Sequence, residues 1–159
     1  MNRLIHSNIA ISALNSAKLN KTQLLGLDEQ LSVMQTKKFV LQARKDNVNL
    51  IMLEQIERSI INCRKSIINT IASDVNTAII NAINALKISV QQGNYTMVIL
   101  DDYMLQNIAN FINEYYRSDE IKSAVKNTIN ATIVKFDIEH LLSKQPQIGL
   151  ISLNRALQS

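Results

Sequence analysis

Apolar side chains recur at three- and four-residue steps along most of the chain, and this spacing predicts amphipathic α-helices. The first helical face runs from Leu4 to Leu19, consists largely of alanine, and is flanked by serines. So narrow a face buries too little surface to be stable alone, and we expect this segment to stay loose until a partner covers it. The polar run Asn20-Lys21-Thr22 interrupts the pattern, and a second helix is predicted from about Gln23 to Asp46.

The third segment, from Asn47 to Gln92, has the most regular pattern. Its predicted inward positions are Leu53, Ile56, Ile60, Cys63, Ile67, Ile71, Val75, Ala78, Ala82, Leu86 and Val90. Gly93 and Asn94 follow, and these two residue types are favoured at the left-handed position that ends a helix. An unbroken helix here would measure about 69 Å, whereas a compact domain of this size spans about 40 Å. Since no Gly or Pro interrupts the segment, we expect an unbroken helix in an elongated molecule; a break near Ser73-Asp74 is the alternative.

Two more helices and an apolar tail are predicted after a turn at residues 93–96. The inward stripe of the fourth helix is Met104, Leu105, Ile108, Phe111, Ile112 and Tyr115. The fifth helix starts at a capping Ser118, with Asp119 and Glu120 in its first turn, and stops before Pro146. Its inward positions are Ile121, Val125, Ile129, Ile133, Phe136 and Leu141. The tail, residues 147–159, is too apolar to stay exposed to solvent. We therefore expect that it, like the first segment, is covered by a partner.

Composition agrees with a helical protein that has few turns. The 159 residues include only 3 Gly, 1 Pro and no Trp. This scarcity of turn residues predicts an all-α fold, an elongated bundle of long helices rather than a many-stranded sandwich. We expect one helical unit, 1–159, in which 47–117 form a long helical hairpin and 1–46 and 118–159 supply the terminal core helices.

Charge and targeting signals exclude several classes of protein. The net charge of +4 comes from 17 basic and 13 acidic residues, and only Lys37, Lys38, Arg44 and Lys45 form a basic group. A nucleic-acid binder needs a more concentrated basic face, often with aromatic side chains, so this function is disfavoured. No stretch of 18 apolar residues predicts a membrane span, and no cleavable secretory signal is recognisable.

The residues that could carry chemistry each have a structural explanation that we prefer. Cys63 lies on the apolar stripe of the third helix and is expected to be a small core residue. His6 and the pair Glu139-His140 lack the clustered ligands of a metal site. Asp101-Asp102 point about 100° apart on a helix and are expected to be first-turn charges. With no phosphate loop or catalytic triad visible, we predict no enzyme, no cofactor, no metal and no small-molecule substrate.

Three stretches resemble the helical core of bacterial flagellins, and they follow one another in the same order as the corresponding motifs of that family. The run Ser7 to Gln23 resembles the flagellin opening, in which N-I-x-A-L-N leads into L-N-K-T-Q, and 27–32 resembles the E-R-L-S segment after it. The run Leu86 to Thr96 resembles the end of flagellin's long helix, L-x-V-Q-x-A-N-G-T. The run Leu141 to Leu153 resembles the flagellin close, N-Q-x-P-Q-x-V-L-S-L-L. The matched stretches cover roughly a third of the chain, and each is short and drawn from a low-diversity alphabet.

The chain also departs from the flagellin pattern. The segment 33–49 replaces the S-G-L-R-I-N-S-A-K-D-D-A-A-G stretch, and only Ala43 to Asp46 echo it. The arginines that flank the middle motif in flagellins are absent, with Asn84 and Leu86 near their places. The variable, surface-exposed centre and much of the C-terminal core helix are missing. The hook-filament junction family shares the first two motifs and is a close relative.

The resemblance implies a structural subunit of a bacterial flagellar filament. Its terminal segments would pair as a coiled coil on assembly, after type III export without a cleaved signal peptide. Further copies of the chain and an export chaperone are the partners that the resemblance implies. The self-assembly positions that it implies are Ile9, Leu14, Leu19, Gln23, Leu86, Val90, Gln91, Pro146, Leu150 and Leu153. Contacts that do not close would then produce an open helical filament. The alternative is a cytoplasmic adaptor or chaperone that binds a partner protein through apolar helix faces.

Overall fold

The computed structural model describes residues 2–128, 131–144 and 147–158, and these residues form six α-helices without a strand. The helices are α1 (Arg3–Ala43), α2 (Asn47–Gln91), α3 (Tyr95–Glu114), α4 (Ser118–Thr128), α5 (Ala131–Lys144) and α6 (Ile148–Gln158). Helices α1 and α2 pack along each other, α3 and α4 pack on α2, and α6 packs chiefly on α3. The all-α helical bundle predicted from the sequence is therefore confirmed.

Helix α1 is one continuous helix, so the predicted interruption at Asn20-Lys21-Thr22 is wrong. The side chains of these polar residues bond without disturbing the helix. The Asn20 amide donates to the Asp74 carboxylate of α2 (3.3 Å), the Lys21 ammonium bonds Glu114 of α3 (3.4 Å), and the Thr22 hydroxyl donates to the Lys18 carbonyl. Polar residues on a helix end it only where their side chains compete for the backbone, and here most of their bonds reach other helices.

The buried face of α1 also differs from the predicted one. Ala10, Leu14, Ala17 and Leu24 are buried against the rest of the chain, whereas Ile5 and Ile9 are exposed. The first segment is thus packed within the single chain, contrary to our expectation that it stays loose. Small alanines allow α1 to lie close to α2, and the contact along that helix supplies the surface that the narrow face lacks by itself.

Helix α2 confirms the unbroken helix predicted between residues 47 and 92. It begins after Asp46, whose carboxylate accepts a hydrogen bond from the Asn49 amide (3.3 Å), and Ser73-Asp74 lie inside it. Its 45 residues make it about 68 Å long. Gly93 follows in the left-handed conformation, with φ 65°, as the stop signal predicts. The molecule is therefore at least as long as this helix.

The structure describes the predicted fifth helix in two parts, α4 and α5, and residues 129–130 between them lie outside the described residues. Ile121 and Val125 are buried in α4 as predicted, and Ile129 lies outside the described residues. In α5 Leu141 is buried as predicted, whereas the predicted Ile133 and Phe136 are exposed and Val134 and Ile138 are buried in their place. The prediction was wrong at Ile133 and Phe136 because the buried face of α5 does not continue the apolar stripe of α4.

Helix α6 is packed on the body of the chain, contrary to our expectation that the tail awaits a partner. Leu150, Leu153 and Ala156 belong to the core. We call α1 up to Leu24, α2 from Arg64 and helices α3–α6 the body, and residues 25–63 the arm. Every fully buried side chain among the described residues lies in the body; none from 25 to 63 is fully buried. The proposed division at residues 46 and 118 stays a prediction.

Candidate functional site

The arm is a two-helix antiparallel coiled coil that carries apolar side chains outside its own seam. The seam positions, each partly buried and spaced by four and three residues, are Leu27, Leu31, Met34, Lys38 and Leu41 on α1 and Leu50, Leu53, Glu57 and Ile60 on α2. Lys38 and Glu57 form an ion pair in the middle of this seam, with the Lys38 Nζ 3.3 Å from a Glu57 carboxylate oxygen. Such spacing closes one seam between two helices and leaves their other faces uncovered.

The outward faces of the arm expose large apolar side chains. They are Leu25, Val33, Phe39, Val40, Val48, Ile51, Met52, Ile56 and Ile61. A shallow groove of about 380 Å³ runs between the helices near the tip, lined mainly by Val40, Leu41, Met52, Leu53 and Ile56. Lys37 also lines this groove. An exposed apolar surface of this kind is more often an interaction site than a surface that only contacts water.

The outer face of α1 continues this apolar surface onto the body. Leu4, Ile5, Ile9, Ile11 and Leu19 are all exposed there. Helix α1 therefore buries one narrow face against α2 and exposes apolar residues along its entire length. We call this exposed face of α1, from Leu4 to Val40, the outer face. It includes Ile9, Ile11 and Leu19 of the stretch 7–23 that resembles the flagellin opening, and it extends beyond this stretch at both ends.

A buried charged cluster joins the arm to the body. The Arg64 guanidinium of α2 donates hydrogen bonds to Asp28 of α1 (2.6 Å), Glu120 of α4 (2.5 Å) and the hydroxyl of Tyr115, which follows α3 (2.5 Å). The Tyr115 hydroxyl in turn donates to Asp28 (2.6 Å). Burial alone would lower the pKa of Arg64, but its hydrogen bonds with Glu120 and Asp28 raise it further above its usual range.

The same cluster keeps Tyr115 protonated. Burial and the hydrogen bond to Asp28 raise the pKa of Tyr115 well above its ordinary value of 10. One cation, two carboxylates and one phenol thus satisfy each other across α1, α2, α4 and the end of α3. Because every polar group is engaged with another of the same chain, the arrangement acts as a structural fastening, and it offers no free base or nucleophile.

A second cluster surrounds Asp101 and Asp102, which are buried on α3 with only 2% and 7% of their surface exposed. The prediction that they are first-turn charges is wrong, because α3 already starts at Tyr95. Asp101 accepts two hydrogen bonds from the Arg3 guanidinium (2.9 and 2.6 Å) and one from the Ser89 hydroxyl (2.5 Å). The two aspartates point in different directions, as adjacent helical residues must.

Asp102 faces the first turn of α6. Its carboxylate accepts hydrogen bonds from the backbone N–H groups of Gly149 (2.8 Å) and Leu150 (3.0 Å). These are two of the amides that have no acceptor inside their own helix. Burial raises the pKa of Asp102, and the two amides offset only part of that rise. A carboxylate from α3 therefore caps α6, a role that no local sequence signal indicates.

The predicted self-assembly positions divide into buried and exposed groups. Leu14, Leu86, Leu150 and Leu153 are buried in the chain's own core, and Val90 is partly buried against it. Ile9, Leu19, Gln23 and Gln91 are exposed, and Pro146 lies outside the described residues. The first three of these exposed positions lie on α1, which is the helix that carries the outer face.

The remaining candidate residues have ordinary surroundings. Cys63 is exposed, so the prediction of a core cysteine is wrong. The His6 ring is hydrogen-bonded to the Asn81 amide oxygen (2.8 Å), and the ring of His140 stacks on Phe136. Over the described residues, no three His, Cys, Asp or Glu side chains come together as metal ligands. None of the helices, in that same part of the chain, is both long and apolar enough to cross a membrane.

Comparison of the chain with protein-family models, curated proteins and solved structures found no match.

Proposed function

We propose that this chain is a structural subunit that assembles with further copies of itself, in the manner of a flagellar filament or of its junction with the hook. The observation that carries this proposal is the outer face of α1, which leaves apolar side chains exposed along a helix of 41 residues. Burying such side chains in a subunit contact contributes about 1.5–3 kcal/mol for each one fully covered. Burial of the outer face between subunits would therefore stabilise the assembly strongly.

The resemblance to flagellin supports the choice of a filament over a closed oligomer. The stretch 7–23, which resembles the flagellin opening, carries Ile9, Ile11 and Leu19 on the outer face. Head-to-tail contacts along elongated helices extend without closing unless the rotation between subunits happens to make a ring. On this proposal the subunit is exported and works outside the cell.

The test is a change on the outer face that leaves the monomer intact. Leu19 and Phe39 are 73% and 72% exposed. The double substitution Leu19→Ser with Phe39→Ser should therefore cost little in folding while raising the concentration needed for assembly by about tenfold or more. Sedimentation velocity and electron microscopy of the purified chain measure this. The matched control is Asn62→Ser with Asn69→Ser, two exposed polar positions on α2.

A protein that stays monomeric at every concentration, and that is absent from sheared cell-surface material probed with an antibody to this chain, would overturn the proposal. If the double substitution and its control assemble alike, the outer face is not the contact.

A cytoplasmic adaptor or chaperone is the second candidate, and one observation favours it. Both terminal segments are packed on the body of the single chain, where Leu14, Leu150 and Leu153 are buried without a neighbouring subunit. A bundle that completes its own core and extends an apolar arm is also a design for holding a partner helix in a groove. Capture of one stoichiometric cytosolic partner by the native chain, lost on substitution of Val40 and Met52 by Ser in the groove, would select this function.

A further inference from the structure

Two consecutive residues of α3 hold the two ends of the described chain. Asp101 binds the guanidinium of Arg3, the first residue of α1, through two hydrogen bonds. Asp102 binds the N–H groups of Gly149 and Leu150, at the start of α6. Residues 98 and 47 positions apart in sequence are thereby brought to one point on one helix.

The contact with α6 depends on close packing as well as on charge. A Cβ atom placed on Gly149 would lie 2.0 Å from the backbone carbonyl oxygen of Asp102, which is far inside van der Waals contact. Only glycine lets the first turn of α6 approach α3 closely enough for both amides to reach the carboxylate. Any side chain at this position must push the start of α6 away from α3.

The two contacts are linked because the carboxylates are neighbours in a buried environment. The Arg3 guanidinium is the cation that pairs with Asp101, at 2.6 Å. If Arg3 leaves, Asp101 keeps only the Ser89 hydroxyl, and this segment of α3 must move toward water to solvate the charge. That movement disturbs the surface on which α6 rests. Loss of α6 opens the same segment to water from the other side.

We propose that Asp101 and Asp102 form a single latch that fastens the starts of α1 and α6 to α3, and that opening it makes both of these terminal helices available to further copies. The first half of this proposal concerns the monomer alone. The second half rests on the proposed function, because release toward further copies requires a self-assembling subunit. In the closed state the latch keeps Leu150 and Leu153 buried within the chain.

The test is hydrogen exchange on the full-length chain with one substitution at each end of the latch. Gly149→Ala changes only the contact of α6 with Asp102, and Arg3→Gln changes only the contact of α1 with Asp101. The latch predicts that each substitution speeds exchange in both helices, by about tenfold or more over residues 7–14 and 152–157. Exchange in the arm, over residues 34–41, should not change.

The matched control is Gly26→Ala, because a Cβ atom at Gly26 would meet nothing within 4 Å. It introduces the same methyl group into a helix without touching the latch, and should leave exchange at both ends as it is in the native chain. Far-ultraviolet circular dichroism checks that each variant keeps its helical content.

The outcomes separate the latch from the proposed function. If Gly149→Ala speeds exchange in α6 only, and Arg3→Gln in α1 only, the two contacts are independent and the latch is wrong. If both ends loosen together but Gly149→Ala assembles no more readily than the native chain, opening does not serve assembly and the second half is wrong. If neither the native chain nor any variant assembles, the second half fails together with the proposed function, whereas coupled exchange still supports the latch.

Discussion

At the scale of single residues, Arg64 determines how the arm joins the body. Its guanidinium bonds Asp28, Tyr115 and Glu120 at once, and the side chains of Arg64 and Asp28 are about nine-tenths buried. Burying charges costs solvation free energy that their mutual attraction recovers only when each has a partner. The cluster is therefore satisfied as a set, and removing its centre leaves the buried carboxylate of Asp28 without its cation, whereas Glu120 keeps the longer ion pair with Arg117 (3.8 Å).

We predict that Arg64→Met lowers the free energy of unfolding by about 3 kcal/mol, because it leaves Asp28 buried without its counter-ion. Urea denaturation followed by circular dichroism measures the change. The control is Lys38→Met, which breaks the more exposed pair with Glu57 in the arm. That pair should contribute about 1 kcal/mol or less. Equal losses for the two variants would contradict a special role for the Arg64 cluster.

At the scale of helices, the boundaries show which features of the fold can be predicted from sequence. Gly93 and Asn94 mark the end of α2 and the start of α3 by chemistry local to the turn, and this boundary was predicted to within a few residues. The capping of α6 by Asp102 and the burial of Asp101 could not be predicted, because their partners are distant in sequence. The sequence shows only that two adjacent acidic residues lie on an otherwise apolar helix, and this does not reveal which partners they bind.

The buried faces of the helices likewise could be predicted from the sequence only in part. The inward stripe of α3 was predicted correctly from Leu105 to Ile112, since that helix packs on its neighbours along one side. The predicted stripe of α2 is buried only from Ile71 onward, because no body helix covers the first half of α2; Ile56 and Cys63 are exposed there. Periodicity indicates which side of a helix is apolar, but it does not show where along the helix a third element stops covering it.

The capping of α6 by Asp102 leads to a prediction about pH. Burial raises the pKa of Asp102 above its ordinary value of 3.8. The carboxyl group of Asp102 therefore stays protonated in the folded chain at pH values where it has already lost its proton in the unfolded chain. The contribution of Asp102 to stability is thus fully present below pH 3.8 and is lost as the pH rises through the raised folded value. Asp102→Asn removes this titration, and its amide oxygen replaces only part of the acceptor capacity.

We expect the difference in free energy of unfolding, native chain minus Asp102→Asn, to decrease as the pH is raised from about 3 to 7. Urea denaturation of both proteins at a series of pH values measures this difference, with the slope of each transition checked for constancy. A difference that grows with pH would mean that the amides of Gly149 and Leu150 outweigh burial, so that the pKa is lowered instead.

At the scale of the whole molecule, the arm and the body have separate roles. All fully buried side chains of the described residues lie in the body, so its core does not depend on the length of the arm. The arm is held by a seam of seven-residue period and by the Arg64 cluster at its base. A modular design of this kind allows the arm to be shortened by whole heptads without changing the register of its seam.

We therefore predict that deletion of residues 35–41 together with 51–57, one heptad from each helix, gives a chain that folds with its body intact. The deleted residues are at most partly buried, and the Lys38–Glu57 pair leaves as a unit, so neither charge remains alone. Amide exchange in α3 and α6 should match that of the full-length chain. Assembly should weaken, because Phe39, Val40, Ile51, Met52 and Ile56 are removed from the exposed surface. Sedimentation velocity at matched concentrations provides the comparison: undiminished assembly would confine the subunit contact to the body, and accelerated exchange in α3 would show that the core extends into the arm after all.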